Sequence, residues 1–187
     1  MTPTEILSAA LTRHPDSPDN GVRSLEATLQ TDESGLLIVE YSLVADMSRL
    51  CVPSSRSRER VDGLWKHTCF EAFLAPAAGS RYCELNFSPS REWAVYAFDA
   101  CRQGMSNPPV SRPPNIMVRR TTDGLVLRAA AQFEDLGDLR DARHLRIALA
   151  GVIEANDGRL SYWALRHPPG KPDFHHPDGF VLELARR

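Results

Sequence analysis

The chain has 187 residues, 42% of them hydrophobic and 25% charged, with a formal net charge of −2 and a pI near 6.3. A domain of this size buries roughly 70% of the surface its unfolded chain exposes, so it needs no disulfide or metal to fold, and its near-neutral balance gives no reason to expect nucleic acid or an anionic membrane as partner. No stretch approaches the ~20 apolar residues of a membrane span, and residues 1 to 20, with Glu5, Arg13, His14 and Asp16, hold no signal-peptide-like apolar run, so a cytoplasmic location is the expectation.

In chain order, Thr2-Pro3-Thr4-Glu5 fits a helix capping box followed by Ile6, Leu7, Ala10 and Leu11 at helical spacing, and it equally suits an edge strand. After a loop over residues 14–21, Val22 to Thr31 sets Leu25, Ala27 and Leu29 against Glu26, Thr28 and Gln30. The turn Asp32-Glu33-Ser34-Gly35 then leads into Leu36 to Val44, which predicts a β-hairpin. The basic stretch Pro53 to Arg60 reads as a solvated loop, or as a lid over a neighbouring polar face. Residues 1–187 form one domain on this reading, with 1–21 a peripheral segment.

The stretch from Leu64 to Met105 organises the rest. Apolar residues alternate from Phe70 to Leu74 and from Cys83 to Phe87, with turn residues Ala75 to Ser80 between them. A four-residue loop Ala77 to Ser80 makes residues whose numbers sum to 157 face each other. Phe70, Ala72 and Leu74 then share an apolar face with Phe87, Leu85 and Cys83, while Cys69, Glu71 and Phe73 share the opposite face with Ser88, Asn86 and Glu84. With Ser88 across from Glu92, a third strand sets Tyr96 opposite Glu84 and Phe98 opposite Tyr82. Trp65 is placed at the entrance of the first of these strands, and Trp93 phases with the apolar face.

The four prolines between Ser106 and Asn115 predict an extended connection. Strands follow at Ile116 to Thr121, Leu125 to Phe133, Leu145 to Glu154, Leu160 to Leu165 and Phe180 to Leu184, with one or two helical turns between Glu134 and His144 and a proline-rich loop from His167 to Gly179. Strands at this spacing predict an all-β antiparallel sandwich with little helix. The four cysteines contain no CxxC pair, so reduced, mostly buried thiols are expected, and parity puts Cys69 and Cys83 on opposite faces of their hairpin.

Through DGLWKHTCFEAFL, YCELNFSPSREWAVYAFDACRQGM and WALRHPPGKPDFHHPDGF the chain resembles the DOMON-like superfamily, in particular a bacterial subgroup of single-domain proteins related to family nine carbohydrate-binding modules. The resemblance covers most of the chain and is weakest before Val22. It implies a ligand-binding sandwich of jelly-roll type. Where sugar-binding relatives carry a tryptophan, an acidic residue and a glutamate, this chain has Trp65, Thr68 and Glu71, so Thr68 departs from the pattern.

Glu71, Glu84, Asn86 and Tyr96 on one face, with Trp65 at its rim and Arg102 nearby, form the expected ligand-binding set. Sugar hydroxyls need paired acceptors and donors, and sugar C–H faces pack on rings. Repulsion between the two glutamates requires an offset, from the ligand or from Lys66, Arg81, Arg102 or Arg166. Asp173, His175 and His176, with His167, are the only cluster with metal-ligand chemistry, but adjacent histidines on extended backbone point apart. Heme, bound elsewhere in the superfamily by methionine and histidine, would need Met105 or Met47 with His167 or His175. The expectation is a binding module with no cofactor, no catalytic residue and a small-molecule partner. Glycoside hydrolysis by the paired carboxylates and a protein-interaction scaffold are the other readings.

Overall fold

A computed structural model describes residues 6–185 except 33. The capping-box residues Thr2 to Glu5 lie outside the described residues; the segment that follows them is a strand, β1 (Ile6–Arg13). The strands β2 (Val22–Thr31), β3 (Leu36–Ala45), β4 (Cys69–Pro76), β5 (Tyr82–Phe87), β6 (Trp93–Phe98), β7 (Asn115–Thr121), β8 (Gly124–Gln132), β9 (His144–Glu154), β10 (Leu160–Ala164) and β11 (Leu182–Ala185) complete one antiparallel sheet of order β6-β5-β4-β9-β10-β1-β2-β3-β8-β7, with β11 also paired to β9. Helical structure among the described residues is confined to short 3-10 turns.

The sheet curls on itself at β1, which pairs with β2 along one edge and, through Thr12 and Arg13, with β10 along the other. Residues 6–13 therefore belong to the sheet and are not peripheral to it. Alternation fixes what the curled layers enclose. Leu25, Leu29, Val39 and Leu127 from one layer meet Phe70, Leu85, Val95, Leu149 and Trp163 from the other in a single core. Tyr41 ties the layers together. Its ring stacks on Phe70 at 5.0 Å, and its hydroxyl donates to the Glu71 carbonyl at 2.6 Å. Because that carbonyl is buried, Tyr41→Phe is expected to cost about 1–3 kcal/mol, read as a lower urea midpoint with an unchanged m-value.

The central register follows the parity argument: Phe70 pairs with Phe87, Glu71 with Asn86 and Phe73 with Glu84, and Tyr96 pairs with Glu84 and Phe98 with Tyr82. Trp93 joins the core. Two details differ from expectation. Trp65 sits in a 3-10 turn, Leu64–Lys66, before β4. Cys51 and Cys101 are exposed, because both lie outside the strands, while Cys69 and Cys83 are buried on opposite faces of their hairpin.

Of the two readings of the basic loop, the solvated one holds, with residues 54–59 exposed, and it is not a lid. It runs along the outer edge of β6, where the Trp93 N–H donates to the Glu59 carbonyl at 3.1 Å and the Val61 N–H donates to the Trp93 carbonyl at 2.9 Å. The Arg60 guanidinium lies over the Trp93 ring and donates to the carbonyls of Val95 and Pro108. Ser106 exchanges two backbone hydrogen bonds with Ala97 on the same edge. An otherwise open strand edge is thereby covered, which suppresses pairing with other chains.

Candidate functional site

The lid comes instead from the connection between β10 and β11. Both strands pair with the same edge of β9: β10 ends with Ala164 opposite Ala150, and β11 begins with Leu182 opposite Ile147. Residues 165–181 thus leave and rejoin nearly the same point, and their proline-rich sequence cannot extend either strand. The excursion folds over the outer face of β4 and β5. Phe174 and Phe180 pack there against a second apolar cluster that contains Phe73, Tyr82, Tyr96 and Phe98.

Between lid and sheet lies a cavity of about 550 Å³, with Trp65, Glu71, Glu84, Tyr96 and Arg102 all on its wall. Trp65, 41% exposed, meets Tyr96 edge-on at 6.0 Å, and the Tyr96 hydroxyl turns aside to donate to Asp62 at 2.8 Å. Asn86 stands beneath the lining, fully buried, and donates its amide to Glu84 at 2.8 Å. Five of the six expected ligand-binding residues therefore line one cavity, and the sixth supports it. Thr68, the departure from the sugar-binding pattern, is occupied elsewhere: its hydroxyl donates to the Cys51 carbonyl at 2.7 Å and accepts from the Glu154 N–H at 3.0 Å.

The register explains why Glu71 is left without a donor. Its neighbours across the strands are Asn86 on β5 and Ala150 on β9; the first gives its amide to Glu84 and the second has nothing to give. Glu71 is 3% exposed, and its Oε1 is buried with no hydrogen-bond partner, as is Asn86 Oδ1. Burial first, and then the neighbouring Glu84, push the Glu71 carboxyl well above the usual range against the pull of Arg102. Burial raises Glu84 to about 7, opposed by the Asn86 hydrogen bond and by Arg102. Burial thus biases both carboxyls toward their protonated forms.

Of the four cations considered for offsetting this pair, Arg102 is the one that acts on both glutamates, but its ion pair is with Asp173, at 2.7 and 3.2 Å. It holds a left-handed backbone at φ 55°, which costs a non-glycine residue about 1–2 kcal/mol. Its own N–H donates to the Tyr82 hydroxyl at 3.2 Å, and that hydroxyl shares a second hydrogen bond with His175 Nδ1 at 2.7 Å. His175 Nε2 then faces Glu84 at 3.7 Å, too long for a hydrogen bond. Burial, with Arg102 adding to it, lowers His175 to about 4, so the imidazole beside Glu84 is neutral.

The metal candidates are dispersed. Asp173 is bound to Arg102, His175 points inward to Tyr82, and His176 Nδ1 accepts from the Asp178 N–H at 3.3 Å. Among the described residues no three His, Cys, Asp or Glu side chains could together hold a metal ion. Of the heme candidates, Met105 and His175 line the cavity; Met47 packs against the main core, and His167 Nε2 lies 2.9 Å from the Thr12 carbonyl.

Sequence reasoning missed His175 as a wall of this cavity, together with Phe174 and Tyr162. For Tyr162 the signal was available: Trp163 faces the core, so its neighbour must face outward. The proximity of β10 to β4, which brings that outward face to the cavity, comes only through β9.

With this geometry in place, the comparisons locate the fold. No model of a known protein family matches the chain, and no curated protein matches it. A proposed carbohydrate-binding protein from Bacteroides uniformis is similar in structure, with a TM-score of 0.63 and 13% identity over 98% of this chain and 87% of that one. A family 9 carbohydrate-binding module from Caldicellulosiruptor kristjanssonii, solved in complex with glucose, is similar at a TM-score of 0.53 and 10% identity, over 92% and 80% of the two chains. The chain thus has the all-β, curled antiparallel fold of these two proteins. No helix among the described residues is long and apolar enough to cross a membrane.

Proposed function

We propose that this protein is a binding module for a small polyhydroxylated molecule, a carbohydrate by chemical class, held between Glu71, Glu84 and the rings of Trp65 and Tyr96. On this reading it is a DOMON-like jelly-roll domain related to family nine carbohydrate-binding modules. The observation that carries the proposal is the buried Glu71 Oε1, without a partner, on the wall of a 550 Å³ cavity. An unsatisfied buried acceptor costs about 1–3 kcal/mol, and a ligand hydroxyl would remove that cost. The glucose bound by the C. kristjanssonii module supports a sugar as the class of ligand.

A thermal-shift screen of mono- and oligosaccharides tests this reading. A sugar at ten times its Kd adds about 1.4 kcal/mol of apparent stability, and the shift is expected to vanish in the Glu71→Gln/Glu84→Gln double variant. A panel with no binder, or a sugar whose shift persists in that variant, would sink the proposal.

The same carboxyl pair carries a second reading. A buried acid near pH 7 in a cavity is suited to general acid–base chemistry, and glycoside hydrolysis would be seen as release of nitrophenol from aryl glycosides.

A further inference from the structure

Resting on that reading, we infer that the ligand carries a protonated amine: an amino sugar by chemical class, seated with its ammonium against Glu71 and Glu84 and its hydroxyls toward the rim. The buried atom left without a partner on a residue of the cavity wall, Glu71 Oε1, is an acceptor, so the deep end of the ligand must bring donors. An ammonium brings three and no acceptor.

Charge leads to the same ligand. Neither glutamate has an ion pair with a lysine or arginine among the described residues; His175 lies 3.7 Å from Glu84, and that ring is neutral. Arg102, the cation that acts on both, is committed to Asp173. The floor of the cavity is therefore two acids without a paired cation, and a buried carboxylate is stable only when paired or protonated. A ligand ammonium supplies the pairing charge in place of the proton.

The walls fit as well. Trp65, Tyr96, Tyr162 and Phe174 present aromatic rings to the cavity, and ring faces attract cations. Lys66 and Arg102 also border it, which disfavours a ligand positively charged along its whole length and leaves donors for hydroxyl oxygens at the rim. One cationic end and one hydroxylated end is the pattern of a hexosamine.

Calorimetric titration of the wild-type protein with glucosamine, galactosamine and mannosamine, each beside its N-acetyl derivative and its parent hexose, provides the test. The N-acetyl derivatives keep the nitrogen and lose the charge. At least one amine is expected to bind about tenfold or more tightly than both of its neutral counterparts, since charge-assisted hydrogen bonds are roughly twice as strong as neutral ones. That preference should fall away in Glu71→Gln and in Glu84→Gln, and the wild-type comparison decides even if either variant misfolds. Equal or tighter binding of neutral sugars overturns the amine assignment and leaves the polyhydroxyl reading standing. No binding by any hexose or hexosamine, together with a blank saccharide screen, overturns both.

Discussion

Glu84→Gln is expected to stabilise the ligand-free protein by about 3 kcal/mol above pH 7 and to change it little near pH 4.5. The folded Glu84 carboxyl titrates at about 7, against an ordinary value of 4.5. Between those two values the folded state holds a proton that the unfolded state has lost, so stability falls as pH rises across that window, by up to about 1.4 kcal/mol per unit. Above pH 7 the penalty is fully present. His175 works in the opposite sense: lowered from 6.5 to about 4, it leaves the unfolded state binding more protons, so stability rises between pH 4 and 6.5. The two slopes oppose each other over most of their range. Glu84→Gln should lessen the falling slope, leaving that of Glu71, whose carboxyl is raised as well, against the rise from His175, and His175→Asn, which keeps a polar partner for the Tyr82 hydroxyl, should uncover the falling one in full. Urea midpoints at pH 4.5, 5.5, 6.5 and 8 measure all three proteins. A Glu84→Gln profile that parallels the wild type would show that the carboxyl is not held protonated by its surroundings.

Phe73→Ala should cost about 3–5 kcal/mol, as truncation of a fully buried ring does when the cavity cannot collapse. Phe73 is completely buried, on the outer face of β4, and is the post on which the lid rests. The rings of Phe174, His175 and Phe180 lie 6.5, 5.3 and 6.4 Å from it, and that of Tyr82 lies 6.4 Å away. The loss should therefore be uneven. Amides of residues 165–181 are expected to lose hydrogen-exchange protection before those of β3 and β8, which belong to the main core. On the proposed function, sugar binding should weaken even where the protein remains folded. A loss below about 1 kcal/mol, or protection that falls uniformly, would remove Phe73 from this role.

Much of the site was legible because two turns set it. Gly79 with its small neighbours, and Ser88-Pro89-Ser90-Arg91, close hairpins whose registers follow from side-chain alternation alone. Once Glu71 is opposite Asn86 and Glu84 opposite Tyr96, the polar face is determined. What could not be read was whatever depends on pairing between distant segments. β9 inserts between β4 and β10 with no local signal, and the lid's position over Glu71 depends on that insertion. Trp65 was placed one element too far along, because Gly63, at φ 80°, starts a 3-10 turn where the composition suggested a strand entrance. The loop over residues 53–60 was the candidate to cover the face, whereas the loop over 167–179 was read only as a proline-rich connection. Only the neighbouring strands decide between them: β6 offers a bare edge to the first, and β9 returns the second over the carboxyls.

The seam at β1 bears on how the chain reaches this state. Thr12 joins Ala164 across 152 residues, so a chain made from its N-terminus exposes one edge of its first strand until β10 has left the ribosome. The hairpins β2–β3, β4–β5–β6 and β7–β8 can close as they emerge, whereas the joins β3–β8, β4–β9 and β1–β10 await partners far along the chain. Folding dominated by such distant pairings belongs to the millisecond-to-second range. During that interval β1 offers an unpaired ladder to any neighbouring chain, and its mostly exposed pattern of side chains, Ser8, Ala10, Thr12 and Arg13 among them, gives such a neighbour little apolar surface to hold.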